Sequence, residues 1–159
     1  MQFHLCKKYA DDELFPVSVV FDLPIYHQLW DATYALSTAV GYEREIRLFA
    51  VTCAQMVTRP DFDPEVLHAI AVAERFVQGT ATAEELHTAN ITAKRVALTA
   101  GHRVPTDFRF YSARIAVGVT DRTVDAFAVA GLARIISEYT HHDQKKLIIK
   151  MCEQPVDLG

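Results

Sequence analysis

Two consecutive pairs of helix start and stop signals constrain the fold of this chain most strongly. Asp63-Pro64-Glu65 combines a favoured N-cap residue, a proline suited to the first helical position and an acid favoured by the helix dipole. Gly79 is the predicted C-cap of that helix. Thr82-Ala83-Glu84-Glu85 then matches a capping box, and the helix that it opens ends at Gly101. The middle of the chain therefore predicts two helices joined by a very short connection.

Apolar residues recur at spacings of three and four in further segments, which indicates amphipathic helices. Pro24 to Gly41 predicts a first helix, and a final helix is predicted to start at Thr120-Asp121 and to run past Tyr139. Glu43 to Val57 predicts a helix whose apolar face excludes Arg44 and Arg47. That face consists of Ile46, Phe49, Ala50, Cys53 and Val57, and the helix ending at Gly101 has the face Leu86, Ala89, Ala93, Val96 and Ala97.

Two segments leave the choice between helix and strand open. Val17 to Phe21 is a short run that favours β structure between two prolines, which predicts a lone strand or an extended arm within residues 1–23. Phe108 to Val119 follows a cap at Thr106-Asp107 and has helical spacing. It is also rich in aromatic and β-branched residues, so it could instead pair with the early run.

Length and composition place these elements in one domain. The chain has 159 residues, of which half are hydrophobic and 23% are charged, as in an ordinary globular protein. A second core would be hard to fill at this length, so residues 1–159 are expected to form a single domain. The predicted fold is mainly α: a compact array of five or six antiparallel helices, with a short N-terminal strand or extended arm.

Charge and cysteine usage argue against several classes of protein. Acidic and basic residues are interleaved in a chain of formal net charge −4, so no basic stripe for nucleic acid is expected. Three widely spaced cysteines without a C-x-x-C motif fit reduced thiols in the cytosol. The sequence has no apolar run typical of a signal peptide or a membrane span. We therefore predict a cytoplasmic protein that binds neither nucleic acid nor membrane.

Two stretches carry a distinctive pattern, residues 47–54 (RLFAVTCA) and residues 71–86 (AVAERFVQGTATAEEL). They resemble a large uncharacterised bacterial family whose members share the elements L-R-L-F-A-x-x-C and A-E-R-[FY]-x-x-G-x-A-T-x-E-E-L. The closing segment Gln144 to Ile149 resembles the last helix of that family. The likeness covers about residues 44 to 155. It departs at Val104-Pro105 and Gly118, and the first 40 residues have no counterpart.

The same elements are similar to immunity proteins encoded beside bacterial toxins, which are helical and occlude a partner. The resemblance implies a non-enzymatic inhibitor of immunity or phage anti-defence type that binds one protein partner, a bacterial defence or toxin component. Because the shared residues are apolar, capping and helix-stop residues, the resemblance implies no catalytic residue and no cofactor. Partner choice is expected to differ in the unmatched N-terminal part.

Aromatic residues and arginines are the predicted contact residues, since these residue types dominate interface hot spots. Tyr26, Trp30 and Tyr34 recur every four residues along the first predicted helix, and this ridge either packs into the core or contacts a partner. Phe108-Arg109-Phe110-Tyr111, followed by Arg114, combines the same residue types beside a predicted loop. The predicted partner-binding residues are Tyr26, Trp30, Phe108, Arg109, Tyr111 and Arg114.

The alternative function is binding of a metal or small ligand through carboxylates and histidines. Glu65-x-x-His68 and Glu84-x-x-His87 each place a carboxylate and an imidazole on one helical face, as di-metal bundles do. Both glutamates also lie in the first turn of a helix, where capping and the dipole explain them. His141-His142-Asp143 has ligand side chains too, but adjacent histidines point in different directions. No metal site is predicted.

No catalytic arrangement emerges from the sequence, so no enzymatic activity is predicted. Cys53 lies on an apolar helical face, which predicts a buried thiol with a raised pKa instead of a nucleophile. The chain has no G-x-S-x-G motif and no glycine cluster typical of a phosphate loop. A homodimer in which one helix pairs with its twin is compatible with either function.

Overall fold

The computed structural model describes residues 4–7, 14–16, 41, 43–101, 108–137, 143–144 and 146–147. Strands β1 (His4–Lys7) and β2 (Leu14–Pro16) form an antiparallel pair. Within the described residues five helices follow, namely α1 (Glu43–Val57), α2 (Pro64–Val77), α3 (Ala83–Gly101), α4 (Phe108–Thr120) and α5 (Ala126–Ile136). These helices pack against one another. The predicted fold class, mainly α and compact, is confirmed.

Several predicted elements lie outside the described residues. They are the run Val17 to Phe21, the helix from Pro24 up to Gly41, and the cap Thr106-Asp107. The two strands use residues 4–7 and 14–16, where the sequence has no regular alternation of apolar and polar residues. This pair of strands was therefore not predicted from the sequence.

Helix α1 contacts α2, α4 and α5, and most of its circumference is buried. Its predicted apolar face is confirmed, because all five members, Ile46, Phe49, Ala50, Cys53 and Val57, are buried. The prediction that Arg47 lies away from the buried face is wrong, since this side chain is only 7% exposed. Around α1 alanines form a large share of the core, among them Ala50, Ala73, Ala93, Ala116 and Ala130.

Arg47 lies in α1, and its buried guanidinium contacts both α2 and the end of α4. Nη1 donates a hydrogen bond to the carbonyl oxygen of Val119 at 2.6 Å, and Nη2 donates to that of Arg122 at 3.1 Å. The same guanidinium lies 5.4 Å from the ring centroid of Phe76 in α2. Burial lowers the pKa of Arg47, and the charge of Asp121 partly opposes that shift. Carbonyls at a helix C-terminus have no partner within the helix, so Arg47 satisfies acceptors where α4 ends.

Arg47→Met is expected to destabilise the fold by about 2–4 kcal/mol, because two carbonyl groups lose a charged donor. Arg44→Met is the matched control: Arg44 lies on the same helix and donates to the carbonyl of Val77 at 3.1 Å, but its side chain is exposed. The control is expected to lose less than about 1 kcal/mol. Urea denaturation measures both variants, and equal losses would contradict the role given to Arg47.

Helix α2 begins as the sequence predicts. The carboxylate of Asp63 accepts a hydrogen bond from the backbone N–H of Glu65 at 2.9 Å, and Pro64 occupies the first helical position. At the other end the C-cap is Gln78, one residue before the predicted position. Gly79 follows with a φ of 75°, a left-handed conformation that glycine adopts without strain.

The predicted capping box at the start of α3 is confirmed. The backbone N–H of Thr82 donates to the Glu85 carboxylate at 2.7 Å, and the backbone N–H of Glu85 donates to the Thr82 hydroxyl at 3.1 Å. The first of these bonds is the main reason that the pKa of Glu85 is lowered. Arg75 near the end of α2 reaches Glu85 at 3.4 Å, and Arg95 in the second half of α3 reaches Glu65 in the first turn of α2, so α2 and α3 run antiparallel.

The segment after residue 107, left open between helix and strand, is the helix α4. Its buried face consists largely of small side chains, including Ser112, Ala113 and Ala116, and it packs against α3 and α5. Small residues let helices approach closely, and this burial outweighs the β propensity of the aromatic and branched residues.

The predicted start of the final helix at Thr120-Asp121 is wrong. Thr120 is the last residue of α4, where its hydroxyl accepts a hydrogen bond from the Asn90 side chain at 3.0 Å. Helix α5 instead starts after Asp125, whose carboxylate accepts from the backbone N–H of Ala128 at 2.9 Å. Ser137 is extended and ends α5, so the helix does not run on to Tyr139 as predicted.

Gln144, among the described C-terminal residues, makes two side-chain hydrogen bonds to α5. Its side chain is fully buried, although the sequence places it in a polar stretch. Nε2 donates to the carbonyl of Ala130 at 3.1 Å, and Oε1 accepts from Nη1 of Arg134 at 2.9 Å. Burial also lowers the pKa of Arg134.

Gly118 sets the distance between α4 and α5. A Cβ atom at this position would lie 2.5 Å from Cγ2 of Val129, closer than atoms can approach. Gly118→Ala is therefore expected to destabilise the fold by about 1–3 kcal/mol. Gly131→Ala is the matched control, because Gly131 also lies in a helix but has room for a methyl group. The nearest atom to its added Cβ would be a guanidinium nitrogen of Arg134 at 3.9 Å.

Thermal denaturation of both variants checks this expectation. Gly131→Ala should be neutral or stabilising by up to about 1 kcal/mol, because alanine favours a helix more than glycine does. Val129→Ala should cost less stability in the Gly118→Ala background than in the wild type, because it removes the atom that the added methyl group meets. Additive effects of Gly118→Ala and Val129→Ala would show that the two positions do not touch.

Candidate functional site

Phe108 at the start of α4 forms an aromatic cluster with the loop between α1 and α2. Its ring packs edge-on against Phe62, with 4.8 Å between the ring centroids. The guanidinium of Arg59 lies 4.8 Å from the Phe108 centroid and pairs with Asp61 at 2.7 Å. Phe108 is therefore half-buried, and its main role in the structure is to join α4 to this loop.

A groove of about 450 Å³ opens beside this cluster, between the starts of α2 and α4 and the end of α3. We call it the Arg109 groove, after the exposed arginine that α4 contributes to it. Its apolar lining is Phe62, Pro64, Val96 and Ala100, and its polar lining is Asp61, Asp63, Glu65, Arg95, Thr99 and Arg109.

The three carboxylates of the Arg109 groove already have partners. Asp61 pairs with Arg59, and Asp63 caps α2. Both carboxylate oxygens of Glu65 accept hydrogen bonds from Nη2 of Arg95. Arg95 is nevertheless 63% exposed, so its guanidinium remains accessible at the rim of the groove. Arg95 and the groove were not predicted from the sequence, because the lining comes from three separate segments of the chain.

The described members of the predicted partner-binding set do not share one surface. Arg109 lines the groove, whereas Arg114 is exposed five residues later, about 140° further around α4 at about 100° per residue. Tyr111 is half-buried beside Phe110, with ring centroids 5.8 Å apart. Tyr26 and Trp30, with Tyr34 of the same ridge, lie outside the described residues. Partner binding by this set stays a prediction.

A second exposed surface, absent from the sequence analysis, runs along α3. Ile91 and Leu98 are 56% and 67% exposed, although both are large and apolar. They are seven residues apart, so they lie on the same side of α3, away from its buried face. That spacing was the signal in the sequence that could have revealed them. We call this surface the α3 outer face, which consists of Glu84, His87, Ile91, Lys94, Arg95 and Leu98.

The predicted E-x-x-H pairs do not come together. Glu65 accepts from Arg95, while His68, Glu84 and His87 are exposed. In the described ranges no three side chains of His, Cys, Asp or Glu form a group that could hold a metal ion. Of the segment His141-His142-Asp143, only Asp143 is described, and it pairs with Lys146 at 3.7 Å. The metal hypothesis gains no support from this arrangement and remains a hypothesis.

Cys53 is a core residue, as the sequence predicts. Its side chain is fully buried in α1, and burial raises the pKa of its thiol to about 12, although the charge of Arg134 partly opposes that shift. A thiol with such a pKa is protonated at neutral pH and is a poor nucleophile.

Cys53 is expected to react with iodoacetamide only when the fold opens. The expected outcome is negligible labelling of Cys53 at pH 7.5 in buffer and complete labelling in denaturing urea, measured by mass spectrometry of the peptide that contains it. Raising the pH through about 9 should destabilise the protein, because the thiol then ionises only in the unfolded chain. Rapid labelling in buffer would show that Cys53 is accessible.

No helix of the described residues combines the length and the apolar character that a bilayer crossing requires. Comparison with protein-family models, curated proteins and solved structures finds no match to this chain. The resemblance to the bacterial helical family and to immunity proteins therefore stays an expectation.

Proposed function

We propose that this protein binds one protein partner and that a side chain of the partner enters the Arg109 groove. The observation that carries the proposal is a groove whose lining includes four apolar residues and two exposed arginines, Arg95 and Arg109. Arginines and pockets that accept an anchoring side chain are typical of interface hot spots. The volume of the groove, about 450 Å³, lies within the range of binding pockets, about 300–1,000 Å³.

The class of partner that we propose follows from the resemblance of residues 47–54 and 71–86 to the bacterial helical family. The protein is a non-enzymatic inhibitor of immunity or phage anti-defence type, and its partner is a bacterial defence or toxin component. It acts in the cytoplasm by occluding a functional surface of that partner. The other predicted contact residues are Tyr26, Trp30, Tyr111 and Arg114, of which Arg114 faces a different side of α4 from Arg109.

The second candidate function is binding of a small ligand in the same groove. The favouring observation is the acidic wall of Asp61, Asp63 and Glu65, which suits a ligand with a cationic group. These carboxylates already have partners, so the ligand would have to compete with Arg59 and Arg95. For this reason we place the small ligand second.

Purification of the tagged protein from its native host tests both candidates. Mass spectrometry identifies the proteins that elute with it, and native mass spectrometry with elemental analysis detects small molecules and metals. Arg109→Glu is expected to reduce the recovered partner by at least about tenfold, because the reversed charge opposes the contact. The thermal midpoint should stay within a few degrees of that of the wild type.

Arg122→Glu is the matched control, since the Arg122 side chain is exposed and does not line the groove. It should leave recovery of the partner unchanged. Arg114→Glu tests separately whether the outer side of α4 takes part. A partner retained by Arg109→Glu would exclude the groove as the contact, and a bound small molecule without a protein would favour the second candidate.

A further inference from the structure

We draw no further inference here: the strongest candidate, the α3 outer face with Ile91 and Leu98 more than half exposed, is an apolar helix face whose basic residues Lys94 and Arg95 already pair with Asp121 and Glu65, and nothing in the described part of the chain shows what covers it.

Discussion

The buried guanidinium of Arg47 is the interaction on which the rest of this structure depends. A cation inside a protein is costly to desolvate, and it persists there only when its donors meet acceptors. Arg47 meets two carbonyl oxygens around the end of α4 and the ring of Phe76 in α2. One side chain thus connects α1, α2 and α4 within the core that they share. A lysine could not do the same, because it lacks the planar fork of donors.

Helix α4 connects the contacts of Arg47 at its C-terminal end to the candidate site at its N-terminal end. Its C-terminal half is fixed by Arg47, by Asn90 and by the close contact of Gly118 with α5. Its N-terminal end is thereby directed toward the loop between α1 and α2, where Phe108 meets Phe62. The groove is the space that remains where these helix ends converge, so its shape follows from packing elsewhere in the molecule.

Local signals in the sequence were sufficient for the helix boundaries around Asp63 and Thr82, because each cap is made by residues two or three positions apart. Arg47 could not be placed in this way, since its acceptors lie 72 and 75 residues further along the chain. Thr120 was misassigned for a related reason. Its hydroxyl accepts a hydrogen bond from the side chain of the distant Asn90 and does not cap a helix. The groove and the exposure of Leu98 likewise depend on which helices become neighbours.

The alanine-rich core has a consequence for how this sequence can change. Truncating an alanine removes a single methyl group, whereas almost every other replacement adds volume at a site where helices already touch. The interior therefore tolerates loss of volume better than gain, the reverse of a core built from leucine and phenylalanine. Substitutions that keep the spacing between the helices are therefore expected mainly on the outer faces of the molecule.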